Sequence, residues 1–179
     1  MAHPQQINFC LRIKHRWPHL FENKRVLDCG SLDINGNNRY LFSGGSYTGI
    51  DLFPGPNVDS VSLIHEYNGE FDVVISTECF EHDANFSKSF QRMIEMLSPA
   101  GLLLFTCATK GRPEHGTVGH EEYASPGTNN YYRNIDPAEV VPSLSSSFRC
   151  WGIEVEHSDL YGWALDPIKK ADTISSIGH

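Results

Sequence analysis

Apolar residues in this chain follow two spacings, and their alternation predicts its elements. Short unbroken runs at Val26-Leu27, Val73-Val74-Ile75 and Leu102-Leu-Leu-Phe105 suit strands of a parallel sheet covered on both faces. Between the last two, Phe86, Phe90, Met93, Ile94 and Leu97 recur at i, i+4, i+7, i+8 and i+11, the apolar face of a helix. Asp83 is placed to cap that helix and Ser98-Pro-Ala-Gly101 to stop it. A strand over 71–76, this helix and a strand over 102–107 form a βαβ unit, right-handed by the usual steric rule.

The flanking segments read more weakly. Pro4 opens a helix over about 4–16 carrying Ile7, Cys10, Leu11 and Ile13, and Pro18 ends it; the stretch 1–22 is expected to pack on the sheet or cap a site mouth. Further strands are predicted at 25–30 and 47–51, separated by a helical turn or two over 37–42 and a break at Gly44-Gly45. Leu52 to Asn57 spans at most ~20 Å when extended, too short for the usual crossover helix. A short strand at 58–62 and a single turn over 64–68 therefore follow directly, trimming the sheet between its second and fourth strands. Residues 108–135 hold four glycines, two prolines, three tyrosines and two histidines without periodicity, the composition of a lid or substrate loop. Asp136-Pro137 starts a helix that Pro142 should shorten or kink. Strands at 148–156 and 160–165, turning at Ser158-Asp159, make an antiparallel edge hairpin, and 167–179 is a polar tail. The predicted class is α/β: a Rossmann-like, mostly parallel sheet of about seven strands with helices on both faces.

Composition narrows this only slightly. With 179 residues, 40% of them hydrophobic, residues 1–179 make one domain with a full core. Fourteen basic against 22 acidic side chains give a net charge of −8, which disfavours a nucleic-acid surface. No apolar run nears the ~20 residues of a membrane span, and the first residues lack a signal peptide's basic and apolar regions. Cys10, Cys29, Cys79, Cys107 and Cys150 are odd in number and form no Cys-x-x-Cys pair, so buried reduced thiols in a cytoplasmic protein are expected.

The chemistry concentrates where strands end. Val26-Leu-Asp28 runs into Gly30, Ser31, Asn35 and Gly36, and ligands of open parallel sheets sit beyond such carboxyl ends. Asp51, closing the second strand about 20 residues past the glycine turn, is placed to accept two ribose hydroxyls. Val-Leu-Asp-Cys-Gly-Ser with Asn35-Gly36, then Asp51, Phe-Asp-Val-Val-Ile-Ser and Ser-Pro-Ala-Gly-Leu-Leu-Leu, in this order, resembles the class I S-adenosylmethionine-dependent methyltransferases, especially the small type 11 group, over about residues 20–165. A nicotinamide-type G-x-G-x-x-G is broken by Leu32. The resemblance implies S-adenosylmethionine as cofactor and S-adenosylhomocysteine as product. It places Asp28, Gly30 and Ser31 at the methionine end, Asp51 on the ribose, and Leu63, Ile64 and His65 around adenine, with Leu52 and Thr77 also against the cofactor. Many relatives carry an acid after the third strand to meet the adenine amino group; Leu63 and Ile64 stand there, between Asp59 and Glu66.

Glu78, Glu81 and His82 spell E-x-x-E-H on the loop leaving the fourth strand. In a helical turn Glu78 would share a face with Glu81 or His82, and the three could hold a divalent cation that activates a hydroxyl. The motif resembles that of ubiquinone-pathway O-methyltransferases and small-RNA 2′-O-methyltransferases, which implies Mg²⁺ or a similar ion. The RNA enzymes add a later histidine; Asn130-Tyr-Tyr-Arg-Asn134 offers none in that region, leaving His115 or His120 to reach in. A plainer role has both glutamates at a helix amino end, with His82 partly exposed or a general base. Glu78, Glu81, His82 and His115 are thus the catalytic candidates, and Arg112, Glu114, Tyr131, Tyr132 and Arg133 candidate substrate contacts from the loop. Trp163 reads as core or edge-strand packing and Lys169-Lys170 as an ordinary surface pair. The expected reaction is in-line methyl transfer to an oxygen or nitrogen of a small molecule such as a sugar, metabolite or phenol. The alternatives are a Mg-assisted RNA-terminus 2′-O-methyltransferase and a catalytically silent binding module of the same fold.

Overall fold

The computed structural model describes residues 3–128 and 130–168. Its seven strands are β1 (Glu22–Cys29), β2 (Ser43–Asp51), β3 (Ser60–Val61), β4 (Phe71–Thr77), β5 (Leu97–Ala108), β6 (Phe148–Glu156) and β7 (Asp159–Pro167), in the order β3-β2-β1-β4-β5-β7-β6. Pairing is parallel from β3 to β5, and β7 runs antiparallel between β5 and β6. The mixed, mostly parallel sheet with an antiparallel edge hairpin is therefore as expected.

Alternation along the strands splits the core in two. Val26, Val73, Ile75, Leu102 and Leu104 face α1 (Pro4–Arg16), where Phe9, Cys10 and Ile13 meet them. Leu27, Val74, Leu103 and Phe105 face α2 (Phe86–Glu95) and α3 (Pro137–Ser147). On that side Phe80, Phe86, Phe90 and Phe105 pack in tilted and edge-on pairs at centroid distances of 5.1–5.9 Å. Each buried ring of this kind contributes roughly 1.5–3 kcal/mol. Asp136 and Glu139 close a capping box on α3, which continues through Pro142 to Ser147. Trp163 packs on Trp17 at 4.7 Å.

Several boundaries differ from the sequence reading. The buried stripe of α1 is Gln6, Phe9, Cys10 and Ile13, while Leu11 is exposed. Gly44 and Gly45 do not break the chain before β2 but lie inside it, at φ 66° and 71°; a Cβ on Gly45 would sit 2.2 Å from the Lys24 carbonyl. Asp83 does not cap α2: a 3₁₀ turn at Phe80–His82 precedes it, and its carboxylate accepts from the Asn85 amide instead. The helix ends at Glu95, so Leu97 to Gly101 belong to β5, with a register irregularity opposite Phe71 and Val73. The hairpin turns on His157 and Ser158, both at positive φ. β7 reaches Pro167, and the tail with Lys169-Lys170 otherwise lies outside the described residues. Among the described residues no helix separates β2 from β3, and none is long and apolar enough to cross a membrane. All five cysteines are free; Cys10, Cys29 and Cys107 are buried.

Candidate active site

The carboxyl ends of β1, β2 and β4 open onto a cavity of about 450 Å³, within the usual range for small ligands. Gln6 and Ile7 of α1 wall one side, and Ala124, Ser125, Pro126 and Thr128 of the long loop line another. The N-terminal helix thus contributes to the cavity wall as well as packing on the sheet.

Asp28 and Asp51 line this same cavity. Asp28 is buried between two donors, Asn38 Nδ2 at 3.1 Å and the Tyr47 hydroxyl at 2.5 Å. Burial raises its pKa to about 6 even against those bonds. Asn38 also donates to Thr77 Oγ1, joining the ends of β1 and β4. Asp51 accepts from the Leu32 amide at 3.1 Å and the Phe53 amide at 3.0 Å, which fixes it on the rim. A carboxylate has about four lone-pair sites, so acceptor capacity remains for a ligand. Gly30, at φ 78°, lets the β1 and β4 loops touch; a Cβ there would lie 2.4 Å from Cys79 Sγ.

Gly30, Ser31, Leu52, Ile64 and Thr77 also line the cavity. The Ser31 hydroxyl is already given to the Asn57 carbonyl at 3.0 Å. His65, expected beside adenine, is absent from the wall and faces a depression beside Lys88 and Arg92 of α2. In the 3₁₀ turn Ile64–Glu66 neighbours diverge by about 120°, so Ile64 faces inward and His65 cannot.

E-x-x-E-H does not form one helical face. Glu78 precedes the Phe80–His82 turn and has φ 52°, which sends its side chain the other way. Its Oε1 accepts from Thr106 Oγ1 at 2.8 Å, and its Oε2 lies 3.6 Å from His3 Nε2, an ion-pair distance. Burial acts to raise this carboxyl, but His3 and Thr106 are among the contacts that oppose it, and the pKa lies below the ordinary value. The Glu78 contact in turn raises His3, although burial opposes it. His3 also approaches Asp159 at 3.4 Å, so Glu78 groups with His3 and Asp159.

Glu81 and His82 belong to a separate group completed by His115, with ligand atoms all within 4.8 Å of one another. Glu81 is fully buried, neither carboxylate oxygen has a hydrogen-bond partner, and its pKa is raised to about 8 by burial and then by Glu78. His82 Nδ1 lies 3.3 Å from the Tyr131 carbonyl; burial, then His115, lower its pKa to about 4. Tyr132 packs its ring on both imidazoles, at 5.5 and 4.9 Å. Of the two histidines open to this role, His115 reaches the group, while His120 is exposed in a bridge with Thr117.

The other loop candidates hold the loop itself and do not line the cavity. Arg112 binds Asp159, Arg133 forks onto Glu139, Glu114 accepts from Thr117, and the Tyr132 hydroxyl donates to Asn134. Pattern reading missed Gln6, Asn38 and Tyr40, which do line it. Gln6 had a signal: a polar residue in register with Phe9, Cys10 and Ile13.

A family model described as a methyltransferase domain matches residues 1–148. The chain belongs to that family and, with this strand order and cavity, is a class I S-adenosylmethionine-dependent methyltransferase. It is 24% identical to a ubiquinone biosynthesis O-methyltransferase of Dechloromonas aromatica over 170 residues, covering 82% of this chain and 71% of that protein. Its fold is similar to a Burkholderia thailandensis 1,6-didemethyltoxoflavin-N1-methyltransferase solved with S-adenosylhomocysteine, with TM-score 0.57, 17% identity and coverage of 93% and 91% of the two chains. A Haemonchus contortus phosphoethanolamine N-methyltransferase 2 gives TM-score 0.57 and 25% identity, over 82% of this chain but 38% of that one.

Proposed function

We propose that this enzyme transfers the methyl group of S-adenosylmethionine to an oxygen or nitrogen of a neutral or cationic small molecule. The observation that carries the reading is the charge of the wall. Asp28, Asp51, Glu78 and Asp83 line the cavity, with no lysine or arginine among the described residues around it. Such a wall suits a sulfonium donor and an uncharged or positive acceptor, and opposes phosphorylated acceptors. An RNA terminus is the less favoured substrate for that reason. The relatives named for ubiquinone biosynthesis and 1,6-didemethyltoxoflavin support small acceptors in general.

In this reading Asp51 takes the ribose, Leu63 and Ile64 flank adenine, and Gly30 lets backbone approach the methionine end. A lone pair on the acceptor attacks the methyl carbon as the carbon–sulfur bond breaks, and that bond's electrons stay on sulfur. The acceptor's proton passes to Glu78, which His3 and Thr106 keep ionised. The remaining catalysis is positioning and exclusion of water under α1 and the loop.

A thermal-shift and activity panel tests this. S-adenosylhomocysteine at ~100 times its dissociation constant should add ~2.7 kcal/mol of stability. Turnover should be found among phenols, sugars and amines rather than their phosphate esters or RNA ends. No stabilisation by either cofactor form, or turnover confined to phosphorylated acceptors, would overturn the proposal.

A further inference from the structure

We propose that Gln6 and Glu78 together select a nitrogen acceptor carrying two N–H bonds, a primary aromatic or heteroaromatic amine, over an acceptor that attacks through a hydroxyl. The proposal rests on the methyltransferase reading above and narrows it to one class of nucleophile.

The cavity wall is unevenly supplied with hydrogen-bonding groups. Among the described residues, three buried oxygens on it have no hydrogen-bond partner: Gln6 Oε1, Glu78 Oε2 and Asp83 Oδ2. All three accept. Several donors of the same wall are already given to the protein: Ser31 to the Asn57 carbonyl, the Asn38 amide to Asp28 and Thr77, and Ser62 to the Leu63 carbonyl. A ligand that satisfies this wall brings donors.

Gln6 is the unexpected member. It is 1% exposed, lies in the stripe of α1 otherwise formed by Phe9, Cys10 and Ile13, and its Nε2 makes only a 3.7 Å contact with Cys10 Sγ. Burying an amide oxygen with nothing to accept is unfavourable, and an apolar side chain of similar size would fill the position without that cost. Glu78 is also buried, with Oε1 on Thr106 and Oε2 3.6 Å from His3 Nε2, beyond hydrogen-bond length. One imidazole joins the two residues: His3 Nδ1 accepts from the Gln6 backbone amide at 3.4 Å, while its Nε2 faces Glu78.

Their place in the sheet assigns them to the acceptor rather than to the cofactor. Neighbouring strands lie about 4.8 Å apart, so the order β2-β1-β4 sets Glu78 about 10 Å from Asp51 across the sheet. His3 also reaches Asp159 at the start of β7, farther still from β2. With ribose on Asp51 and the methionine end beside Gly30, the β4 side is left for the nucleophile.

Two acceptor oxygens suit an –NH₂ group. Each N–H meets one oxygen, and the nitrogen lone pair is left for the methyl carbon. A hydroxyl has a single hydrogen, so it satisfies one oxygen and turns a lone pair on the other, which stays buried and unpaired. An aromatic ring suits the apolar part of the wall at Ile7, Tyr40 and Pro126, and keeps the nitrogen uncharged at neutral pH. In the reaction the N–CH₃ bond forms as the C–S bond breaks with its electrons on sulfur. The nitrogen becomes an ammonium and passes one N–H proton to Glu78 Oε2, giving a neutral N-methylamine. That product keeps one N–H, so it is held less well and the reaction stops at one methyl.

The test is methyl transfer from labelled S-adenosylmethionine to ring-substituted anilines, their N-methyl derivatives and the matching phenols, with wild-type, Gln6→Met and Gln6→Glu proteins. The expected kcat/KM for the anilines exceeds that for the other two sets by at least about tenfold, with monomethyl product only. Gln6→Met should lower kcat/KM for the anilines roughly tenfold and close the gap, with S-adenosylhomocysteine affinity nearly unchanged by calorimetry. Gln6→Glu keeps an acceptor oxygen and should retain the preference. If Gln6→Met does not fold, the wild-type ranking and Gln6→Glu decide, and loss of the preference in Gln6→Glu counts against the proposal. Phenols preferred by the wild type, no aniline used, or an equal loss on all three sets in Gln6→Met would sink it. So would a parallel loss of S-adenosylhomocysteine affinity, which would place Gln6 on the cofactor's ammonium. A wild-type protein that binds neither cofactor form fails the methyltransferase reading, and this one with it.

Discussion

Two pairs of acids, one ending β1 and β2 and the other just after β4, differ in what their oxygens touch. On the β1–β2 side Asp28 is satisfied by Asn38 and Tyr47, and Asp51 by the amides of Leu32 and Phe53. On the β4 side Glu78 has one oxygen on Thr106 and the other without a hydrogen bond, and Glu81 has no partner for either. The first pair is held by its own chain and shapes the pocket. In the second pair Glu78 leans on His3 at 3.6 Å, while Glu81 is left without a hydrogen-bond partner. Burying a carboxylate without a hydrogen bond is costly, and of the two only Glu78 lines the cavity.

The contrast can be broken most sharply at Glu78. Glu78→Gln should lower kcat on the order of 10²-fold, as expected for loss of a proton acceptor, with S-adenosylhomocysteine affinity nearly unchanged by calorimetry. A parallel loss of cofactor affinity would move Glu78 to the binding side. Asp51→Ala should do the reverse, weakening S-adenosylhomocysteine by about 100-fold through loss of charge-assisted hydrogen bonds. A folded Asp51→Ala protein with unchanged affinity would remove Asp51 from the ribose.

The smallest effect concerns Asp28 and is read in the ligand-free protein. Its folded pKa of about 6 lies above the ordinary 3.8, so the folded state holds the proton longer than the unfolded chain. This group's contribution is therefore most favourable below pH ~4, declines between about 4 and 6, and is constant above. Urea titrations should show that decline at about 1–3 kcal/mol, and Asp28→Asn should flatten it. An identical pH profile in the variant would show that Asp28 is not its source.

The parallel core was legible because its signals are local and redundant. Unbroken runs such as Val73-Val74-Ile75, and the spacing of Phe86, Phe90, Met93 and Ile94, state strand or helix without reference to the rest of the chain. Asp28 and Asp51 followed from their places at strand ends, and both line the cavity. What failed depended on backbone torsion or on distant neighbours. Gly44 and Gly45 read as a break because positive φ is normally a turn property, yet β2 carries both beside β1. Glu78 seemed to share a face with Glu81 until its φ of 52° turned it toward His3, more than 70 residues earlier. His65 and Ile64 could not be separated without knowing the turn was 3₁₀. His115 was one of two open histidines in an aperiodic loop, whose spacing does not show that the fold brings it to 3.9 Å from Glu81.

One consequence concerns the timing of turnover. Gln6 and Ile7 form part of the cavity wall and His3 tethers their helix beside Glu78, so a bulky product that leaves on this side must displace a folded element. Departure would then set the pace, as it does in many lidded enzymes, and kcat should fall as glycerol or sucrose thickens the solvent. A rate indifferent to viscosity would mean that traffic passes by the loop side, with the N-terminal segment standing still.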